Sequence, residues 1–115
     1  MAEQECIFCR IGRGEVPAEF LYRDDSVFAI HDINPKAPVH LLVIPFSHLS
    51  ALTADPQPTL ETLGRLVAVA AQLAQEHGVD ADGYRLTINQ GPDASQTLPH
   101  LHLHLLAGRR LSDLG

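Results

Sequence analysis

Apolar residues recur along this chain with two different periods, and each change of period marks an element. In Cys6-Ile-Phe-Cys-Arg-Ile, residues Ile7, Phe8 and Ile11 stand at helical spacing with Gly12 and Gly14 after them, which predicts a short helix. Residues 19–22 and 26–30 predict two strands joined at the polar Arg23-Asp24-Asp25, a hairpin turn. Asn34-Pro-Lys-Ala-Pro38 reads as a loop, because prolines cannot donate to a strand ladder, and the β-rich run 39–44 follows until Pro45 breaks it. Asp55-Pro56 predicts a helix start, with Asp as N-cap and Pro in the first turn, and Pro58 as a possible delay. Leu60, Leu63, Val67, Ala70, Leu73 and Ala74 then recur at intervals of three and four up to Gly78, which predicts one long helix. Residues 84–89 predict a strand, 90–96 a loop and 98–106 the last strand. The fold class expected from this order is α+β: an antiparallel five-stranded sheet covered on one face, with one long helix and one short N-terminal helix. No internal repeat or low-complexity tract interrupts it.

Length and composition narrow the function classes. A chain of 115 residues predicts a single domain over 1–115 with one core, so any site is shared among elements of one fold. A hydrophobic share of 45% with 19% charged residues places it among soluble folded chains rather than disordered ones. The net charge of −6 argues against a nucleic-acid partner, which needs clustered Lys and Arg, and leaves a local phosphate pocket open. The acidic start Met-Ala-Glu-Gln-Glu-Cys lacks a signal-peptide pattern, and no apolar stretch approaches the roughly 20 residues of a membrane span. A cytoplasmic protein without a membrane partner is expected. Cys6 and Cys9 read as a metal half-site, a redox pair or ordinary thiols; the redox reading is the weaker because the usual βαβ context is missing.

The chemistry concentrates near the carboxyl end, in Pro99-His-Leu-His-Leu-His-Leu-Leu106. On an extended strand alternate side chains share a face, so His100, His102 and His104 project together and Leu101, Leu103 and Leu105 project into a core. Three crowded imidazoles are a poor choice for a merely solvated face. Ligands on one straight strand also converge poorly on a tetrahedral ion unless others join from elsewhere. Imidazole is a competent nucleophile toward phosphorus and is substantially neutral near pH 7, which favours catalysis.

His-Leu-His-Leu-His-Leu-Leu resembles the alternating signature of the histidine triad (HIT) superfamily. Cys6-Ile-Phe-Cys-Arg-Ile, Ile30-His-Asp-Ile-Asn-Pro35, Ala37-Pro-Val-His-Leu-Leu-Val-Ile-Pro45, His48, Tyr84 to Gly91 and Asp93 to Leu106 are similar, in order, to segments of its HINT branch, the purine nucleoside phosphoramidases. The resemblance implies a HIT fold and a hydrolase acting at the α-phosphorus of nucleoside 5′-phosphoramidates or related nucleotides. It implies His102 as nucleophile, a covalent nucleotidyl-histidine, His104 at the phosphate or leaving group, and His40 and His100 packed around the pair. Ser95, Gln96 and Thr97 correspond to a phosphate-side segment and Asn89 to a residue near ribose and phosphate. Asp32 corresponds to the ribose ligand, and Ile7, Phe8, Ile11, Ile30 and Ile33 to an apolar base slot with His31 among the nucleotide contacts. Relatives imply structural zinc on Cys6, Cys9, His48 and His100, a purine nucleotide such as AMP or GMP as ligand, and a homodimer formed through the long helix and a strand. The apolar run Leu66-Val-Ala-Val-Ala-Ala71 is compatible with that burial. Another branch of the superfamily implies a dinucleoside polyphosphate hydrolase, and a third reading is a nucleotide-binding regulatory protein with little turnover. Two departures stand out: Pro99 replaces an aromatic or apolar residue, and Gly108-Arg-Arg-Leu-Ser-Asp-Leu-Gly115 lacks the Trp-Pro-Pro-Gly-like ending of many HINT enzymes.

Overall fold

The two periods produce a sheet with two unlike faces. In the computed structural model, which describes residues 5–53 and 57–114, the elements in chain order are α1 (Ile7–Gly12), β1 (Tyr22–Arg23), β2 (Val27–His31), β3 (Val39–Pro45), α2 (Leu60–Glu76), β4 (Tyr84–Thr87), a 3-10 turn (Pro92–Ala94) and β5 (Leu103–Ala107). The strands pair antiparallel in the order β1-β2-β3-β5-β4. This is the α+β arrangement, with one long and one short helix, that the pattern predicts.

Val27, Ala29, Leu41, Val43, Leu103, Leu105 and Ala107 point toward α2 and bury against Leu66, Val69, Ala70, Leu73 and Ala74. Their neighbours in sequence, Phe28, Ile30, Leu42 and Ile44, point the other way and join Cys6, Phe8, Cys9 and Ile11 in a second cluster. The short helix therefore covers part of the face that the pattern leaves open. Each large apolar side chain in these layers contributes roughly 1.5–3 kcal/mol by leaving water. The register Leu42↔His104 and His40↔Leu106 sets His40 and His104 diagonally on the α1 face of the two central strands.

Several boundaries differ from expectation, each for a local reason. The helix cap at Asp55-Pro56 lies outside the described residues; α2 is capped by Thr59, whose Oγ1 accepts the Thr62 N–H at 3.0 Å. Its buried stripe includes Leu66 and Val69, whereas Leu60 and Val67 are 89% and 49% exposed. At about 100° per residue, those two positions fall on the flank of the arc that Leu66, Ala70 and Leu73 define. The first hairpin is closed by Asp24, whose Oδ1 accepts the N–H groups of Ser26 and Val27 at 2.7 and 2.8 Å, so the turn ends at Val27, where β2 begins; β1 is the short Tyr22–Arg23 rather than 19–22. β4 ends at Thr87, two residues short of the expected end.

The last strand is the consequential correction. β5 starts at Leu103, not 98. Pro99 has no N–H, the Leu101 N–H goes to the Leu49 carbonyl at 2.6 Å, and the Pro45 carbonyl accepts from the His100 ring at 2.9 Å instead of from a strand amide. Of the three alternating histidines, only His104 lies within the strand. The leucines between them behave as expected: Leu101, Leu103 and Leu105 are all buried in the α2-facing core. No helix among the described residues is long and apolar enough to cross a membrane.

Candidate active site

A cavity of about 470 Å³ opens on the α1 face, lined by Asp32, Asn34 and Lys36 after β2, His40 of β3, Thr87 and Asn89 at the end of β4, Ser95, Gln96 and Thr97, and His102, His104 and Leu106. That volume suits a ligand of nucleotide size. Its floor is formed by β3 and β5, which carry His40 and His104.

Hydrogen-bond partners fix where the ring protons sit. A carbonyl oxygen only accepts, so His102 Nδ1, 2.7 Å from the His100 carbonyl, carries the proton. In the neutral ring the lone pair is then on Nε2. The Lys36 N–H donates to His40 Nδ1 at 3.0 Å, which puts the His40 proton on Nε2. That Nε2–H lies 2.9 Å from His104 Nδ1 and 3.3 Å from Asp32 Oδ2. His104 Nδ1 therefore accepts, and its own proton resides on Nε2. Asp32, His40 and His104 bring three ligand atoms within 4.8 Å of one another. The His40 atom a cation would need is the one holding the proton, so the trio is better suited to hydrogen bonding than to metal binding. Phe8 packs edge-on against His102, with centroids 5.1 Å apart, and His104 lies 5.0 Å away on the other side.

Burial governs the titration of this group. Desolvation pushes the His104 imidazole down to about 4, helped by nearby His102 and His40, and burial also lowers His40 against the opposing pull of Asp32. The sign of the linkage follows: from pH 6.5 down to about 4 the unfolded chain takes up a proton at position 104 that the folded chain refuses, so stability falls as pH falls. Urea unfolding midpoints should decline between pH 7 and 4.5, with a shallower decline in His104→Asn. Equal slopes for the two proteins would contradict this assignment.

The loop after β4 is self-stapled. Gln96 Oε1 accepts the Gly91 N–H at 2.8 Å, its Nε2 donates to the Leu98 carbonyl at 3.1 Å, and Asn89 Nδ2 donates to the Ala94 carbonyl at 2.7 Å. Among the described residues, Ser95 is the single non-glycine in the left-handed region, with φ +62°, a conformation that costs energy and recurs at ligand clamps.

The fold brings Asp32, His40, Asn89, Gln96, Thr97, His102 and His104 to one cavity. It sets other candidates apart. His100 is fully buried beneath α1, and Phe8, Ile11 and Ile30 belong to the second core cluster, with Ile7 packed against it. His31 points to the opposite face, its ring 6.4 Å from that of His77, and Ile33 is 100% exposed. Asn34, Lys36, Thr87 and Leu106 line the cavity without having been singled out in the sequence. Leu106 lies two residues beyond His104 on the same face, a signal that alternation carries; Thr87 is paired with His104 across the ladder, which no local pattern reveals.

Below α1 a second constellation forms. Cys6, Cys9, His48 and His100 place one sulfur or nitrogen each within 4.8 Å of one another. His100 Nδ1 lies 3.3 Å from Cys6 Sγ and 3.6 Å from Cys9 Sγ, and His48 Nδ1 lies 3.2 Å from Cys9 Sγ. Neither cysteine is in a disulfide. The His100 Nε2–H is held by the Pro45 carbonyl, so its Nδ1 lone pair faces the sulfurs, the orientation that an imidazole ligand adopts when a carbonyl holds its other nitrogen. Two sulfur and two nitrogen donors fit a tetrahedral zinc ion.

The sequence profile of the HIT domain matches residues 13–111. The chain is 41% identical over 114 residues, 99% of its own length and 95% of the relative's, to the purine nucleoside phosphoramidase of Escherichia coli strain K12. Its fold superposes with a TM-score of 0.92 on a histidine triad protein from Clostridium difficile, at 39% identity and full coverage of both chains. A Zn-bound histidine triad family protein from Mycobacterium smegmatis superposes with a TM-score of 0.81 at 35% identity, covering 99% of this chain and 82% of that one.

Proposed function

The chain belongs to the HIT domain family as an enzyme of its hydrolase type, and from that premise we propose that it cleaves purine nucleoside 5′-phosphoramidates at the α-phosphorus through His102. The observation that carries this reading is the His102 Nδ1–H bond to the His100 carbonyl at 2.7 Å, which leaves Nε2 as the nucleophilic lone pair of a residue lining the cavity. Nε2 bonds to phosphorus, the P–N bond breaks, and the amine leaves with the bonding electrons and takes up a proton from solvent, leaving His102 as a cationic phosphoimidazole. Water then adds to phosphorus, breaks the P–Nε2 bond, returns one proton to solvent and releases the nucleoside monophosphate with His102 neutral again. The His104 Nε2–H is the donor to the phosphoryl oxygens, where charge develops and fixed donors matter most.

Asp32 receives the ribose hydroxyls on lone pairs that its bonds to Asn34 N–H and His40 leave over. Asn89, Ser95, Gln96 and Thr97 border the phosphate side. The base occupies the margin between α1 and the end of β2, next to Ile7, Phe8, Ile11 and Ile30, with exposed Ile33 closing over it and His31 outside the cavity. Cys6, Cys9, His48 and His100 hold zinc, which supplies a structural cross-link between α1 and the sheet and takes no part in the reaction. A homodimer through α2 and the β4 edge accounts for the exposed Val67, Leu60 and Tyr84, and a monomeric mass in light scattering would contradict it.

Incubation with adenosine 5′-phosphoramidate and, separately, with a diadenosine polyphosphate tests the substrate class. The phosphoramidate should be consumed at least about tenfold faster, since one nucleoside monophosphate fills a cavity of this size. Faster cleavage of the diadenosine compound would move the chain to the polyphosphate branch. AMP binding with neither compound consumed would support the regulatory reading.

A further inference from the structure

A chain of contacts enters the histidine pair from outside the cavity. Lys36 lies in a loop flanked by Pro35 and Pro38, where no strand ladder holds the backbone. Both polar atoms of its backbone are nevertheless engaged. The N–H donates to His40 Nδ1 at 3.0 Å, and the carbonyl accepts from Arg109 Nη2 at 2.9 Å. Arg109 belongs to the segment after β5, which is laid against this same loop. Gly108 has φ +97°, and a Cβ there would come 2.8 Å from Pro38 Cβ. Arg109 Nη1 donates to the Arg110 carbonyl at 3.0 Å, and Arg85 Nη2 holds the Ser112 carbonyl at 2.7 Å.

We propose that Arg109 is a positioning residue for the reaction: by holding the Lys36 carbonyl it fixes where residue 36 sits, so that the Lys36 N–H, on the preceding peptide plane next to Pro35, stays within reach of His40 Nδ1 and sets which nitrogen of His104 donates into the cavity. This rests on the hydrolase reading above. The physical reason is proton bookkeeping around the pair. With Lys36 in place, His40 carries its proton on Nε2, donates to His104 Nδ1 at 2.9 Å, and His104 offers an N–H to an anionic phosphoryl group. If residue 36 shifts, His40 Nδ1 loses the donor that keeps it an acceptor, and the Asp32 carboxylate at 3.3 Å is left as the partner favouring the proton on Nε2. A fraction of the rings then takes the other tautomer, with Nε2 an acceptor facing the acceptor nitrogen of His104. In that fraction His104 moves its proton to Nδ1 to restore the hydrogen bond between the rings, and a lone pair faces the phosphoryl oxygens. Arg109 itself is exposed, so its removal leaves the core untouched.

The test uses the full chain and reads the rings directly, with no substrate present. Long-range 1H–15N spectra of wild-type protein should show His40 and His104 both protonated on Nε2. Arg109→Ala should show mixed tautomers at both rings and a kcat for adenosine 5′-phosphoramidate reduced about tenfold with KM changed less than twofold, a cost typical of a misaligned second layer. Arg109→Lys, which retains a donor, should restore most of both signals, and Arg110→Ala, in the same tail, should match wild type. Unchanged ring signals in Arg109→Ala overturn the proposal whether or not activity falls, as does an equal effect of Arg110→Ala. If the substrate class is wrong, the phosphoramidate is not consumed by any variant while the tautomer shift on losing Arg109 persists, so the two failures are distinguishable.

Discussion

Replacing His102 with alanine is expected to lower turnover of adenosine 5′-phosphoramidate by about 10⁴-fold or more, because a covalent pathway has no substitute for its attacking atom. AMP affinity should stay within about fivefold of wild type, since Asp32, Asn89 and residues 95–97 still line the cavity with polar groups. The residue is 6% exposed, so removing its ring leaves a space beneath Phe8. His102→Asn provides the structural control: its amide can still donate to the His100 carbonyl, yet it has no nucleophilic nitrogen. Both variants should be inactive, and mass spectrometry of acid-quenched wild-type protein should detect an added nucleotidyl group that neither variant carries. Turnover of either variant within tenfold of wild type would remove His102 from the attacking role.

The second large effect concerns the cluster beneath α1. Protein purified without chelator should contain close to one zinc per chain, and stripping it should lower the unfolding free energy by about 3–5 kcal/mol. This is less than the roughly 10–16 kcal/mol that zinc contributes to zinc-finger peptides, because an apolar sheet core here persists without the metal. The direction is set by what removal exposes: Cys6 and His100 are both 0% exposed, and without an ion two buried thiols and an imidazole share a small apolar space. Cys6→Ser should reproduce the loss and abolish zinc retention. Because serine also buries a hydroxyl, chelator-treated wild type is the necessary companion measurement. A zinc content below about one per several chains, with the same melting temperature before and after chelation, would leave the four residues without a metal role. The two sites are also linked through the backbone. His102 begins two residues after His100, and the His100 carbonyl that orients it belongs to the segment the cluster anchors. Loss of zinc is therefore expected to reduce kcat as well, without abolishing it.

How much of this was legible in the chain depends on the range of the interaction concerned. The alternation His100-Leu101-His102-Leu103-His104-Leu105 correctly assigns the leucines to the core, since a period of two is a local property of extended backbone. The same pattern extends the strand too far. Whether residues 98–102 join a ladder depends on Pro45, more than fifty positions away, whose carbonyl is taken by the His100 ring. The stripe on α2 is similarly read to within its flank: the helix and its apolar side are evident, but the choice of Leu66 and Val69 over Leu60 and Val67 awaits the sheet it packs on. His31 shows the limit of adjacency, because one step along β2 from Ile30 and one before Asp32 is enough to turn its ring to the other face.

By itself, then, the sequence determined the inventory: the α+β order of elements, the core leucines, the alternating histidines and the Cys6–Cys9 half-site, carried by residue type and short spacing, while the set with His48 and His100 came from the family resemblance. Tertiary structure alone decided the assignment of work within that inventory. It sent His100 under α1 to the cysteines, left His102 and His104 on the cavity, chose the proton-bearing nitrogen of each ring and brought Lys36 and Arg109 into the arrangement. The reason is physical: a tautomer is set by the partner that a ring nitrogen meets, and although the Lys36 N–H meets His40 four residues on, His104, the Pro45 carbonyl and the Arg109 guanidinium meet partners more than fifty positions away, across the paired β3 and β5.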